Sequence, residues 1–263
     1  MKTRNALLII DAQNDFCHPE GALFVPGAVE DSQRLATFIE QNADELDYIC
    51  LTIDSHPIHD ISHPSYWENS EGRHPAPFTN ISAQEVEEGT WKPLFNPQET
   101  LTYLNALERQ GEFPHIIWPH HCLIGSWGNA ICDDVLNATV RWAEKTGKNY
   151  RTEIKGTNSL TEHFGIFQAQ IPVKNQPETQ RNQRLLDELN QFDRIFLAGQ
   201  AKSHCVATSL KQIMDFEPEL AQKVVVLSDT MSDVPNLGHL GEPIYARAKK
   251  EGLRFQTAMD KLS

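Results

Sequence analysis

Four residues of types that can do covalent chemistry fall where apolar runs stop. Asp11 follows residues 6–10, Asp54 follows 48–53, Lys155 follows 150–154, and Cys205 lies a few residues beyond 195–198. A cysteine attacks as thiolate, and a free thiol with a pKa of about 8.5 is mostly protonated at neutral pH. Two sources of help stand in the sequence. A helix beginning near Ser203 offers its positive N-terminal end, which favours a thiolate, and its unpaired backbone N–H groups can hold an oxyanion. Asp11 can take the thiol proton, with Lys155 placing positive charge between the two. Singly, each residue has a plainer explanation: buried cysteines are mostly inert, strand-end aspartates commonly serve turns, and lysines are mostly solvated. His204 does not make a Cys-His dyad, because adjacent helical residues diverge by roughly 100°; packing or pocket lining suits it better.

A second cluster has the composition of a metal site. Asp54 and His56 flank Ser55 in a turn, and His121 lies in Trp118-Pro119-His120-His121-Cys122. Alternation along an extended chain points Asp54 and His56 the same way, and a mixed carboxylate and imidazole set suits Zn, Mn or Fe(II). Eleven histidines also make a chance cluster easy. His59, Asp60, His63 and His74 are either further ligands or solvated loop residues.

Placing these groups together requires a parallel sheet. The runs named above, with a further one at 224–227 and a weaker one at 254–258, are short, rich in Ile, Val and Leu, and bounded by polar residues, as strands buried on both faces are. Between them lie stripes with helical spacing, such as Leu35, Phe38 and Ile39, or Ile131, Val135, Leu136, Thr139 and Trp142. Alternation of strand and helix predicts a doubly wound α/β sheet with right-handed crossovers, whose ligands bind beyond the carboxyl ends of the strands. The helix carrying Cys205 should stop before Pro218. A single domain is expected over 1–263, with an insertion at about 57–114. That segment is rich in Pro, Gly, His and acids, disperses Trp67, Trp91 and Phe95 without a period, and receives no fold here; such stretches are lids, partner-binding segments or flexible loops.

Composition narrows the partners. The 263 residues carry 23 Lys and Arg against 36 Asp and Glu, a formal charge of −13, with no basic run. Nucleic acid and anionic membrane surfaces are therefore unexpected, and a small molecule fits better. Five irregularly spaced cysteines give no disulfide framework. Cys17, Cys50, Cys122 and Cys132 suit the role of small buried apolar groups. No stretch approaches the roughly 20 apolar residues of a membrane span or forms a signal sequence, so a reducing, cytoplasmic setting is expected.

Five segments, LLIIDAQNDF (7–16), DSHPIHDISH (54–63), WPHHCLIGSWG (118–128), IKG (154–156) and AGQAKSHCV (198–206), resemble in content and order the motif series of isochorismatase-like cysteine hydrolases. Within that superfamily they are most similar to nicotinamidases, which join a catalytic triad to a neighbouring metal site. The resemblance implies a three-layer αβα fold on a six-stranded parallel sheet ordered 3-2-1-4-5-6. It implies Asp11 as general base, Lys155 as orienting cation and Cys205 as nucleophile, with the backbone N–H groups of Ala201 and Cys205 forming an oxyanion hole after a cis peptide preceding Ala201. It further implies Asp54, His56 and His121 as ligands of one divalent metal, usually Zn, otherwise Fe or Mn. Phe16 and Trp118 would flank the ring of nicotinamide, and homo-oligomers are usual.

The chain departs from the pattern in three places. Gln200 stands where an aliphatic residue is common. His59-Asp60 replaces Asp-His, leaving a fourth metal ligand absent, replaced by Asp60, or supplied by His59. The stretch between Asp54 and His121 is also longer than usual. The activity implied is hydrolysis of nicotinamide to nicotinate and ammonia through a thioester. A cysteine amidase of another small amide, such as an N-carbamoyl or ureido compound, is an alternative, although such relatives commonly lack the metal ligands. A vinyl ether hydrolase would not need the cysteine, and a non-catalytic binding module would not need the complete Asp11, Lys155 and Cys205 set.

Overall fold

The structure, a computed structural model, describes residues 3–260. The ends of the expected 1–263 domain, residues 1–2 and 261–263, lie outside them. In chain order the elements are β1 (Asn5–Ile10), the short helix α1 (Asn14–Cys17), α2 (Ala28–Gln41), β2 (Leu46–Asp54), β3 (Trp67–Glu68), α3 (Ala83–Glu87), β4 (Lys92–Pro93) and α4 (Pro97–Gln110). They continue with α5 (Asp133–Thr146), β5 (Arg151–Lys155), α6 (Gln183–Leu189), β6 (Arg194–Gly199), α7 (Ala207–Phe216), α8 (Pro218–Ala221), β7 (Val224–Leu227), α9 (Gly238–Lys250) and β8 (Arg254–Gln256).

Six strands form one parallel sheet ordered β5-β2-β1-β6-β7-β8. Counted in order of appearance this is 3-2-1-4-5-6, as the sequence led us to expect. All six residues of β1 are buried, which is why that strand reads as an unbroken apolar run. The order reverses on passing from β5 to β6, so right-handed crossovers lay α2 and α5 together on one face, and α7 with α8 and α9 on the other. β1 and β6 are neighbours, with Ile10 beside Gly199 at their carboxyl ends. Residues immediately after these two strands therefore meet. Gly199 has φ +115°, and a Cβ there would collide with the Ile10 backbone, so glycine lets the two strand ends close up.

The 57–114 segment is where sequence and structure differ most. It builds a small core, formed by its own Ile61, Tyr66, Trp67, Ile81, Ala83, Tyr103, Leu104 and Leu107 together with Ile117 just beyond it. Helix α4 supplies Tyr103, Leu104 and Leu107, with Pro97 in its first turn and Gly111 closing it at φ +68°. The two-residue ladder of β3 with β4 and the capping box of Ser82 and Glu85 on α3 add local order. The Trp67 indole donates to the Ile61 carbonyl at 2.7 Å, and the Tyr66 and Thr100 hydroxyls are bonded at 2.8 Å. This unit also positions the chemistry. The Trp118 N–H donates to the Ser62 carbonyl at 2.8 Å, tying the 118–122 loop to the turn after β2.

Candidate active site

Beyond the carboxyl ends of β1, β2, β5 and β6, one pocket is lined by Phe16, Leu23, Asp54, Trp118, His121, Glu162, Phe164, Ala201, His204, Cys205 and Val234. The sequence-derived candidates converge on it. Register aligns Asp54 with Lys155 across β2 and β5. The Lys155 ammonium lies 2.9 Å from Asp11 Oδ2, 2.8 Å from Asp54 Oδ1 and 3.7 Å from Cys205 Sγ. Asp11 is also near enough for its carboxylate to act on the Cys205 thiol. Gly156, at φ +80°, makes room beside Lys155, since a Cβ there would lie 2.7 Å from Asp54 Oδ1.

Asp11 occupies a left-handed backbone conformation, φ +43°, uncommon for a residue with a side chain. Thr52, on the neighbouring strand, holds it: the Asp11 N–H donates to Thr52 Oγ1 at 2.9 Å, and that hydroxyl donates to Asp11 Oδ1 at 2.5 Å. Gln13 fixes the other strand end, accepting from the Asp54 N–H and donating to the Asp54 carbonyl, both at 2.8 Å. Asp15 accepts from the N–H of Cys122 at 2.6 Å, anchoring the 118–122 loop on α1. These three residues escaped the sequence reading. Thr52 had a signal, since it sits two positions before Asp54 and so shares its face of β2.

Cys205 lies in a turn of π-helix, Lys202–Val206, which leads into α7, and that helix ends before Pro218 as expected. The peptide between Gln200 and Ala201 is cis. Gln200 is accommodated by full use of its amide, which donates to Asp31 Oδ2 at 2.9 Å and accepts from the Ser232 N–H at 3.1 Å. His204 packs edge-on against Trp118 and takes part in a 2.8 Å contact with Ser203 Oγ. Burial lowers its pKa to about 3, so it stays neutral. It lines the pocket, as the sequence indicated.

Burial shapes the electrostatics of the site. Burial, followed by the carboxylates of Asp11 and Asp54, outweighs Lys155 and pushes the Cys205 thiol well above its ordinary value. Burial thus works against the thiolate that the helix end favours. Burial and Asp54 likewise raise Asp11 despite Lys155. Burial would lower Lys155, but Asp11 and Asp54 override it and hold the amine charged. Asp54 departs the other way: His56 and Lys155 overcome the effect of burial and hold it well below the usual carboxylate range.

On the other side of Asp54, its Oδ2 lies 2.9 Å from His56 Nε2 and 3.6 Å from His121 Nε2. One donor atom from each of Asp54, His56 and His121 falls within a 4.8 Å cluster, and all three residues are buried. His121 Nδ1 lies 2.9 Å from the Pro119 carbonyl, which assigns the ring proton to Nδ1 and leaves Nε2 with a free lone pair. One carboxylate and two imidazoles so presented fit a divalent cation. His59 is exposed and packs on Phe95. His63 is buried with its Nε2 3.3 Å from His121 Nδ1, and His74 lies farther out, bonded to the Trp67 carbonyl at 2.5 Å. Glu162, another residue the sequence reading passed over, accepts from the Trp118 indole at 3.2 Å, and burial raises its pKa to about 7.

The remaining four cysteines are buried and free. Cys17 and Cys132 touch each other beside Ser32, outside the pocket. Among the described residues no helix is long and apolar enough to cross a membrane.

No family model matches the chain. A nicotinamidase of Saccharomyces cerevisiae is 26% identical over 242 residues, which span 90% of this chain and 92% of that protein. The crystal structure of the yeast nicotinamidase Pnc1p bound to nicotinaldehyde superposes with a TM-score of 0.67 at 18% identity, covering 96% of this chain and 99% of that one. An Acinetobacter nicotinamidase gives a TM-score of 0.64 at 21% identity, with 98% of both chains covered. The zinc complex of Pyrococcus horikoshii pyrazinamidase gives 0.56 at 17%, covering 97% of this chain and 99% of that one. The architecture is the isochorismatase-like fold, and the resemblance to nicotinamidases extends over nearly the whole chain.

Proposed function

We propose that this protein hydrolyses nicotinamide to nicotinate and ammonia. The observation that carries the reading is the placement of one ammonium, Lys155 Nζ, 2.9 Å from Asp11 and 3.7 Å from Cys205 in a pocket walled by Phe16 and Trp118. Its resemblance to nicotinamidases supplies the substrate. Cys205 Sγ attacks the amide carbon while its proton passes to Asp11, whose raised pKa makes the carboxylate a better base than an exposed aspartate. The developing oxyanion is received by the backbone N–H groups of Ala201 and Cys205. Protonated Asp11 then hands its proton to the departing ammonia, leaving a thioester. Asp11 next deprotonates water, which attacks the thioester and frees nicotinate and the thiol. Lys155 stays charged throughout, orienting Asp11 and balancing the two carboxylates. Asp54, His56 and His121 would hold a divalent metal, with Zn the first choice and Fe or Mn alternatives, supplying a Lewis-acid anchor for the pyridine nitrogen.

The test is ammonia and nicotinate release from nicotinamide by the purified protein, beside a panel of other carboxamides and ureido compounds, with and without chelator. Turnover of nicotinamide in preference to the panel supports the reading. Turnover confined to a ureido compound assigns another amidase, and tight nicotinamide binding without release assigns a binding module.

A further inference from the structure

His56 is gripped at both ring nitrogens. Its Nε2 faces Asp54, the carboxylate shared with Lys155, while its Nδ1 lies 3.2 Å from Asp60 Oδ2. His56 and Asp60 are both fully enclosed, 2% and 1% exposed, and neither Nδ1 nor that oxygen has a hydrogen-bond partner among the described residues, so each polar atom has only the other to face, as an ion pair. Asp60 is itself held in place, since its Oδ1 accepts from the Ser62 N–H at 2.9 Å and from the Ser62 hydroxyl at 2.7 Å. The Asp60 carbonyl also closes the turn by accepting from the His63 N–H at 2.9 Å.

We infer that Asp60 is not a metal ligand but the positioning residue behind one: it takes the Nδ1 proton of His56 and so presents the Nε2 lone pair to a divalent cation. The inference rests on the metal reading given above. A cation at Nε2 lies across the imidazole from Asp60, so Asp60 cannot reach it without leaving Ser62. A carboxylate on the back nitrogen fixes tautomer and ring orientation and makes the ligating nitrogen more basic. Its charge also offsets the cation's without occupying a coordination position, which leaves that position open to substrate. Departure of this chain from the Asp-His order thus has a structural reading. Asp60 acts at second hand, and His59 points elsewhere.

The Asp60→Asn variant separates this role from a merely structural one. Its side-chain oxygen keeps the two bonds from Ser62, and the N–H of Ser62 forbids the flipped amide. The new NH2 group then faces His56 Nδ1 as a donor, forcing the ring proton onto Nε2, where it blocks metal binding. Expected is a loss of about 10- to 100-fold in Zn and Co(II) affinity, measured by chelator competition, with the melting temperature of the metal-free protein unchanged. Equal affinity in the two proteins overturns the inference and leaves the metal site intact. A changed Co(II) visible spectrum with one ligand fewer makes Asp60 a ligand and also overturns it. Failure of the wild-type protein to bind either metal removes the site itself and the inference with it. Long-range 1H–15N correlation on the Zn-loaded wild type decides the matter independently of how the variant folds. A proton on His56 Nδ1 is expected, and one on Nε2 is the contrary result.

Discussion

Asp11 and Asp54 end adjacent parallel strands and share one ammonium, yet the two halves of the pocket treat a carboxylate in opposite ways. Asp11 meets a thiol and Thr52, so burial dominates and its pKa rises. Asp54 meets His56, His121 and Lys155, and its pKa falls far below the usual range. Pairs of titratable groups pushed apart by their surroundings are how one fold assigns a proton carrier and a permanently ionised anchor. On the proposed reading, the cysteine half moves protons and the histidine half holds charge.

Each half of the pocket can be disabled separately. Asp11→Asn removes the base with little change in shape, and should lower kcat/KM for nicotinamide by about 10²- to 10⁴-fold while metal content stays at the wild-type level. In the wild type, kcat/KM should fall with decreasing pH through an apparent pKa above 3.8, because Asp11 must be ionised to accept the thiol proton and its pKa is raised. An acid limb at or below that value would contradict the assignment. His121→Ala should act on the other half, reducing bound metal to background by elemental analysis. Retained metal would remove His121 from the ligand set.

Smaller effects test what supports the two halves. Leu107→Ala, in the small core under the 57–114 segment, should cost about 2–5 kcal/mol in denaturant unfolding, since Leu107 is 2% exposed. Its effect on the pocket should be felt through the Trp118 loop. Glu153, at the sheet edge, is held below its ordinary value by Arg184 and Arg151 although burial opposes them. A lowered carboxylate contributes stability above its unfolded pKa, near 4.5, and loses it as pH falls through the folded value. Glu153→Gln should therefore cost about 1 kcal/mol or less at neutral pH, after solvent screening. The difference from wild type should vanish in strong acid; a difference that persists there would assign the loss to packing.

Much of the site was legible because it is built on strand ends. Apolar runs placed Asp11, Asp54 and Lys155 at strand ends, and the sheet order implied by the family resemblance seats β1 beside β6 and so brings Asp11 to Cys205. What escaped depends on contacts between distant segments. Thr52 and Gln13 are ordinary polar residues until β1 and β2 pair, and Glu162 meets Trp118 only when loops close over the pocket. Helix α4 was missed for another reason. Its Asn96-Pro97 start, Gly111 stop and Thr100, Tyr103, Leu104 and Leu107 stripe are regular signals, but they lie in a stretch whose Pro, His and acidic content suggested a loop. For the thiol, sequence shows the helix end that favours ionisation but not the depth of burial that opposes it.

Ammonia release from nicotinamide by the Cys205→Ala variant, compared with wild type under identical metal loading, tests the chemistry most directly. Turnover should fall by more than about 10⁴-fold while the variant still binds nicotinamide and unfolds like the wild type. Release within tenfold of wild type would mean that the sulfur forms no bond to the substrate.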